Sequence, residues 1–314
     1  MLKFRDALAS GVAAVVIVVL ASFPAPASAA IQPKPHTDKS LYITSASTSD
    51  MDTRGCSAGQ YDDNHGHIDR ATILDFGGQY SDGSGTEPVL GPSKLTNSQI
   101  KAMAEAYAQG YYACGASGSR LYVAVGTNSS AGDVSYGGGQ DWGRVVAAIS
   151  HWVINANMGG RVLVYGANDI ETGSKFSGPN PAKAWADGYS SISDAGFYYD
   201  FGDAGGCPLT THDNGPCNNN WRQYGVWYVS WGASAALPMP EIYFSSMAHE
   251  WTQISWYGYA KQGGRLNIQG PLSENALDSS TLTATQAWND LWTDLNAHTA
   301  TAQSLTWSLG QRYE

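Results

Sequence analysis

The chain is poor in charge. Only 14% of its 314 residues are Asp, Glu, Lys or Arg, and 17 basic residues stand against 27 acidic ones, for a net charge of −10. No Lys/Arg run or basic stripe occurs, so the electrostatic footprint that holds nucleic acid or an anionic membrane is missing. A neutral polar partner suits this balance better. Several short motifs are also absent. There is no GxSxG elbow and no P-loop, and His249-Glu250 lacks the second histidine of HExxH. No CxxC pair exists, which argues against a zinc cluster. No EF-hand spacing is present among Asp52, Asp62, Asp63 and Asp69, the acids that could be considered for calcium. No cofactor is therefore expected.

What is present begins with the N-terminus. Lys3 and Arg5 precede an apolar run from about Val12 to Ala21, and Ala27-Ser28-Ala29 gives the small-x-small cleavage pattern. Residues 1–29 read as a secretory signal, the apolar run being shorter than the ~20 residues a bilayer needs. A secreted, extracellular protein without a membrane partner after cleavage is expected. The four cysteines, Cys56, Cys114, Cys207 and Cys217, then read as disulfides. Three pairings are possible. Cys207–Cys217 as a short loop staple with Cys56–Cys114 is favoured.

Residues 30–70 are rich in Ser, Thr, Asp, Gly and His and read as an N-terminal arm with little regular structure, with one strand near Leu41–Thr44. From 71 to 314 the chain alternates. Apolar runs at Thr72–Phe76, Leu121–Val125, Arg161–Tyr165, Phe197–Phe201, Val226–Trp231 and Leu266–Ile268 predict strands buried on both faces. Pro240–Phe244 is a further strand candidate. Between them lie helical patterns: capping boxes at Thr96/Gln99 and Thr283/Gln286, an Asp141 cap, a start at Asn180-Pro181, and the stripe Met247, Trp251, Ile254. Strand starts recur every ~30–40 residues, the length of a βαβ unit. The expected fold is α/β: a (β/α)8 barrel, regular or irregular, as one monomeric domain. An open doubly wound sheet is the rival, but its first βα turn, DFGGQYSDGSG, lacks GxGxxG.

The scarce acids cluster at the C-terminal ends of these runs: Asp75, Asp169, Glu171, Asp200, Asp203 and Glu241. That end is the active face of parallel α/β folds. Asp169 and Glu171 are two apart, so on extended chain both point the same way, roughly 6–7 Å apart at Cα. Close carboxylates push their pKa values apart, so one can hold a proton while another stays charged. Glycoside hydrolysis uses that division. Asp75, Asp169, Glu171, Asp200 and Glu241 are the candidate catalytic acids. Trp231, Tyr243 and Tyr165 are the candidate rings for packing against a sugar face. Capping of the next helix or calcium binding by Asp169 and Glu171 remains the alternative.

A strand ending in DxE, with an Asp ending an early strand, resembles the barrel glycosidases: the Chalaropsis-type lysozymes (glycoside hydrolase family 25) and the family 18 chitinases. The resemblance implies Glu171 as general acid, Asp169 as its neighbouring carboxylate and Asp75 as the early-strand Asp, acting on peptidoglycan or another polysaccharide. The fuller chitinase pattern DxxDxDxE is absent, with Val164 and Ala167 in place of its first two aspartates. Two other readings stay open. One is a non-catalytic carbohydrate-binding or surface protein on the same scaffold. The other is a metal-dependent hydrolase using His65 and His67 of the fragment HGHID.

Overall fold

The computed structural model describes residues 32–130 and 134–314. The secretory-signal reading, residues 1–29, lies outside them. Eight parallel strands run in chain order: β1 (Asp38–Tyr42), β2 (Arg70–Gln79), β3 (Leu121–Asn128), β4 (Val162–Asp169), β5 (Tyr198–Asp200), β6 (Ala236–Pro238), β7 (Leu272–Ser273) and β8 (Leu309–Tyr313). Each pairs with its sequence neighbour, and β8 pairs in parallel with β1. The remaining seam is light. Gln269 N–H donates to the Pro238 carbonyl at 2.8 Å, Leu272 N–H to Pro240 at 2.8 Å and Ile242 N–H to Leu272 at 2.9 Å, with Glu241 bridging Leu272 in parallel. These bonds bring β6 to β7 and close the ring as an irregular α/β barrel.

Because side chains alternate along a strand, each strand splits between two apolar clusters. Ala71, Ile73, Ala124, Ala167, Tyr199, Leu272 and Leu309 fill the lumen. Leu74, Val123, Val125, Val162 and Val164 face outward against the helices. The same alternation carries the inward face on from Ile73 to Asp75 and from Ala167 to Asp169.

The surrounding helices include α1 (Thr48–Asn64), α2 (Asn97–Cys114), α3 (Tyr136–Asn155), α4 (Pro179–Ser190), α5 (Gln223–Trp227), α6 (Ser245–Lys261) and α7 (Ala284–Asn296). Both capping boxes form: Thr96 and Thr283 accept from the backbone of Gln99 and Gln286, which reach back. Helix α3 starts earlier than its expected Asp141 cap, at Tyr136 with Ser135 as N-cap.

Three expectations are corrected. Residues 32–70 are no loose arm: they supply β1 and α1. Helix α1 is hard to read because its buried positions are Met51, Gly55, Gly59 and Asp62 rather than an apolar stripe. It docks by close backbone approach. A Cβ on Gly55 would lie 2.0 Å from the Tyr107 carbonyl oxygen, and one on Gly110 would lie 2.0 Å from that of Asp52. The run Val226–Trp231 is helical, α5 followed by a π-turn over Tyr228–Gly232, because Val226 and Val229 bury themselves in the outer core in that form. The true β6 comes after it. Leu266–Ile268 likewise precedes its barrel strand, the two-residue β7 behind Pro271.

Two disulfides close, Cys56–Cys114 and Cys207–Cys217. The first ties α1 to α2 across 58 residues; in the loop-entropy picture such a link is worth about 4 kcal/mol. No described helix is long and apolar enough to cross a membrane.

Gly110→Val should drive α1 off α2. The expected loss is roughly 3 kcal/mol in urea-induced unfolding. An unchanged midpoint would mean that the two helices do not approach as closely as described.

Candidate active site

The C-terminal mouth of the barrel is lined with acids. Asp75 lies on the inward face of β2 just before its bulge, and Asp169 ends the inward face of β4. Glu171 follows two residues on, half-buried, and Glu241 arrives where β6 meets β7. One carboxylate oxygen each of Asp169, Glu171 and Glu241 lie within 4.8 Å of one another. Asp169 and Glu241 are only 5% and 1% exposed, and each leaves one buried oxygen with no hydrogen-bond partner. The Asp169/Glu171 pairing expected from the i, i+2 spacing therefore forms, with a third acid from a different strand beside it.

Two further groups in this mouth were not marked by the sequence. Glu274 follows β7, and the Tyr42 hydroxyl at the end of β1 donates to its Oε1 at 2.6 Å. The only cue for Glu274 is its place behind Pro271-Leu272-Ser273, a strand too short to show a pattern. Tyr42 ends a strand inside what reads as an arm. Asp203 stands at the rim, where its Oδ1 accepts from the backbone N–H of Thr172 at 3.2 Å and of Gly205 at 3.1 Å.

Burial and mutual repulsion act together on this group. Burial first, then the Asp203 and Glu274 charges, push Glu171 up to about 8. Burial raises Asp169 well above the usual carboxylate range, and Glu171 and Asp75 add to it. Glu241 rises for the same reason, with Asp169 and Glu171 as the next causes and the Tyr243 phenol opposing slightly. Asp75 is raised to about 7 by burial, against the Gly77 N–H that donates to it at 2.8 Å. Tyr42 is pushed up by burial and by the surrounding carboxylates. Burial and mutual repulsion thus both favour the protonated forms within this group.

The other candidates fall elsewhere. Asp200 points outward from β5: its strand neighbours Tyr199 and Phe201 belong to the lumen cluster, while Asp200 faces Ser230 and the backbone amides of Gly202 and Ile170. Burial holds it at about 7 despite those donors. It does not join the acid ring. Tyr243 does, beside Glu241. Tyr165 and Trp231 do not. They line a hollow of about 570 Å³ with Tyr122, Tyr199 and Trp307. Trp231 and Ala236 lie at the N-terminal end of β6, so this hollow opens at the opposite end of the barrel. Pairing Trp231 with Glu241 assumed a strand at Val226–Trp231; with helix there, ten residues separate the two by the length of the barrel strand.

The His65/His67 fragment forms no metal centre. His65 Nδ1 lies 2.7 Å from the Tyr61 carbonyl and its ring stacks on Tyr61 at 3.8 Å, while His67 meets Asp63 at 3.1 Å. Asp62 is spent on Arg70, whose Nε and Nη2 donate to it at 2.9 and 2.6 Å. Among the described residues, the group placed to hold a cation is Asp169, Glu171 and Glu241, all hard oxygen donors of the kind calcium or magnesium takes.

No protein-family model matches this sequence, and no characterised protein matches it as a sequence relative. Among solved structures it is similar to a GH26 beta-mannanase from Bacteroides ovatus at 12% identity and a TM-score of 0.42, covering 86% of each chain. It is also similar to the endo-1,4-beta-mannanase from Rhizomucor miehei at 11% identity and a TM-score of 0.42, covering 90% of this chain and 87% of that one. Neither belongs to the lysozymes or chitinases that the strand-end motif resembles. At these scores the likeness does not reach the chemistry, which has to be read from the side chains.

Acids whose pKa is raised on folding favour the folded state while protonated. That contribution is fully present below their unfolded values near 4.5 and is lost as pH rises through about 8. The melting temperature should therefore fall between pH 5 and pH 8.5, and Glu171→Gln should flatten the fall. A curve unaltered by the substitution would place Glu171 in solvent rather than in the cluster.

Proposed function

We propose that the protein is a secreted glycoside hydrolase whose acid ring cleaves a polysaccharide by carboxylate chemistry. One observation carries this: Glu171 is partly exposed in a cluster of three carboxyls, and burial and neighbouring charge push its pKa up to about 8. A general acid needs to be both reachable and protonated at working pH. Asp169 and Glu241 are buried beside it, each raised by burial first, with the Glu171 charge adding to the rise.

The second carboxylate must be charged and within reach of the sugar. Asp169, Asp75 and Glu241 are the candidates the strand ends suggest. Glu274 is a further candidate: it is partly exposed and accepts from the Tyr42 hydroxyl, a bond that orients a carboxylate. Glu171 would protonate the leaving oxygen, and Glu274 would attack the anomeric carbon or activate a water, according to their separation. Tyr243, beside Glu241, stays the candidate ring for packing on the substrate. The disulfides suit work outside the cell.

A second reading has its own support. Three oxygens within 4.8 Å also suit a divalent cation, and the protein would then bind glycan or metal without turnover.

Purified protein should release reducing sugar from at least one member of a panel of bacterial cell wall, chitin and plant glycans. Glu171→Gln should lower that rate by roughly 100-fold or more while the melting temperature holds or rises, and activity should survive a chelator. Full activity in Glu171→Gln would end the assignment. Saturable calcium binding by protein that releases no sugar, lost in Glu171→Gln, would favour the cation reading.

A further inference from the structure

Outside the barrel, between β1, β8 and α1, runs a groove of about 480 Å³. In a chain with a net charge of −10 its wall is basic. Lys39 comes from β1, Arg312 from β8 and Arg54 from α1. Registry explains the first two: Leu41 pairs with Arg312 across the parallel ladder, and Lys39 lies two residues before Leu41 on the same outward face.

None of these three cations has an acidic partner within ion-pair distance among the described residues. The Nε atoms of Arg54 and Arg312 are buried with no hydrogen-bond partner. The nearby carboxylates are already used. Asp62 is bonded to Arg70, and Asp38 meets Arg70 at 3.3 Å and His36 at 3.6 Å while accepting from the Ala71 N–H. Burial lowers the pKa of Lys39, and the Arg312 and Arg70 charges lower it further. Like charges are thus crowded into a half-buried groove where each keeps open donors. Leaving buried guanidinium N–H groups unmet is costly, and an oxyanion is the group that satisfies them several at a time.

We propose that this groove is a binding site for a phosphate group borne by a small ligand such as a sugar phosphate. Two negative charges match three unpaired cations better than one carboxylate does. The acidic molecule as a whole would repel a long polyanion, which favours a compact occupant. Leu41 and Ala58 give the groove an apolar wall beside its cations, suited to the carbon face of a sugar.

The test is isothermal titration at low ionic strength with inorganic phosphate, glucose 6-phosphate, glucose and acetate, at matched ionic strength. Saturable binding of glucose 6-phosphate, tighter than phosphate and absent for glucose and acetate, is expected. Arg54→Gln with Arg312→Gln should weaken it by roughly tenfold or more, as loss of charge-assisted bonds predicts. Lys39→Gln, at an exposed position, gives a milder variant should the double one unfold. Glu171→Gln should bind as the parent does, which separates this site from the acid mouth. Binding of phosphate alone, with no gain from the sugar, would overturn the sugar-phosphate assignment. Heat that follows ionic strength only, or binding undiminished in both the double and the Lys39 variants, would overturn the site.

Discussion

The acid ring is the constraint on which the rest of the molecule turns. Carboxylates are costly to take out of water, and more so beside one another. Here Asp75, Asp169 and Glu241 lie almost wholly buried, with Glu171 and Glu274 above them. Such a group persists only if a rigid frame holds it and if protons neutralise part of its charge. The barrel supplies the frame. Its parallel strands all end at the same face, and their two-residue alternation sends the last inward side chain of each into the mouth.

Neutralisation then becomes a chemical resource. Burial alone would make all these acids weak. What differentiates them is depth: Asp169 and Glu241 lie under the rim, whereas Glu171 and Glu274 can reach solvent. A raised pKa and partial exposure thus coincide at Glu171, and the Tyr42 hydroxyl gives Glu274 a different environment from its neighbours. The barrel seam matters here as well, since Glu241 is placed by the few backbone bonds that join β6 to β7.

The molecule also separates its charges. Acids gather at one mouth, aromatic rings at the other, and unpaired cations on the outer face beside α1. None of these groupings is local in the chain. Lys39 and Arg312 are nearly the whole length of the described chain apart, joined because the last strand closes on the first.

The first five strands, helices α2, α3, α4, α6 and α7, the barrel, both disulfides and the acids Asp75, Asp169, Glu171 and Glu241 were legible in the sequence, because each rests on a local pattern: apolar runs buried on both faces, capping boxes at Thr96 and Thr283, cysteine count, and acids just past strand ends. The pattern failed where tertiary contact replaced it. Helix α1 packs through glycines and carries no apolar stripe. Val226–Trp231 has strand composition but buries its valines as a helix, which moved Trp231 to the far end of the barrel. A two-residue β7 shows no periodicity, so Glu274 had nothing to mark it. What the sequence determined by itself was the alternation that sends one side chain in and the next out. Which inward acids meet, which are reachable and which cations are left without partners was decided only by ring closure, because those distances run between strands rather than along them.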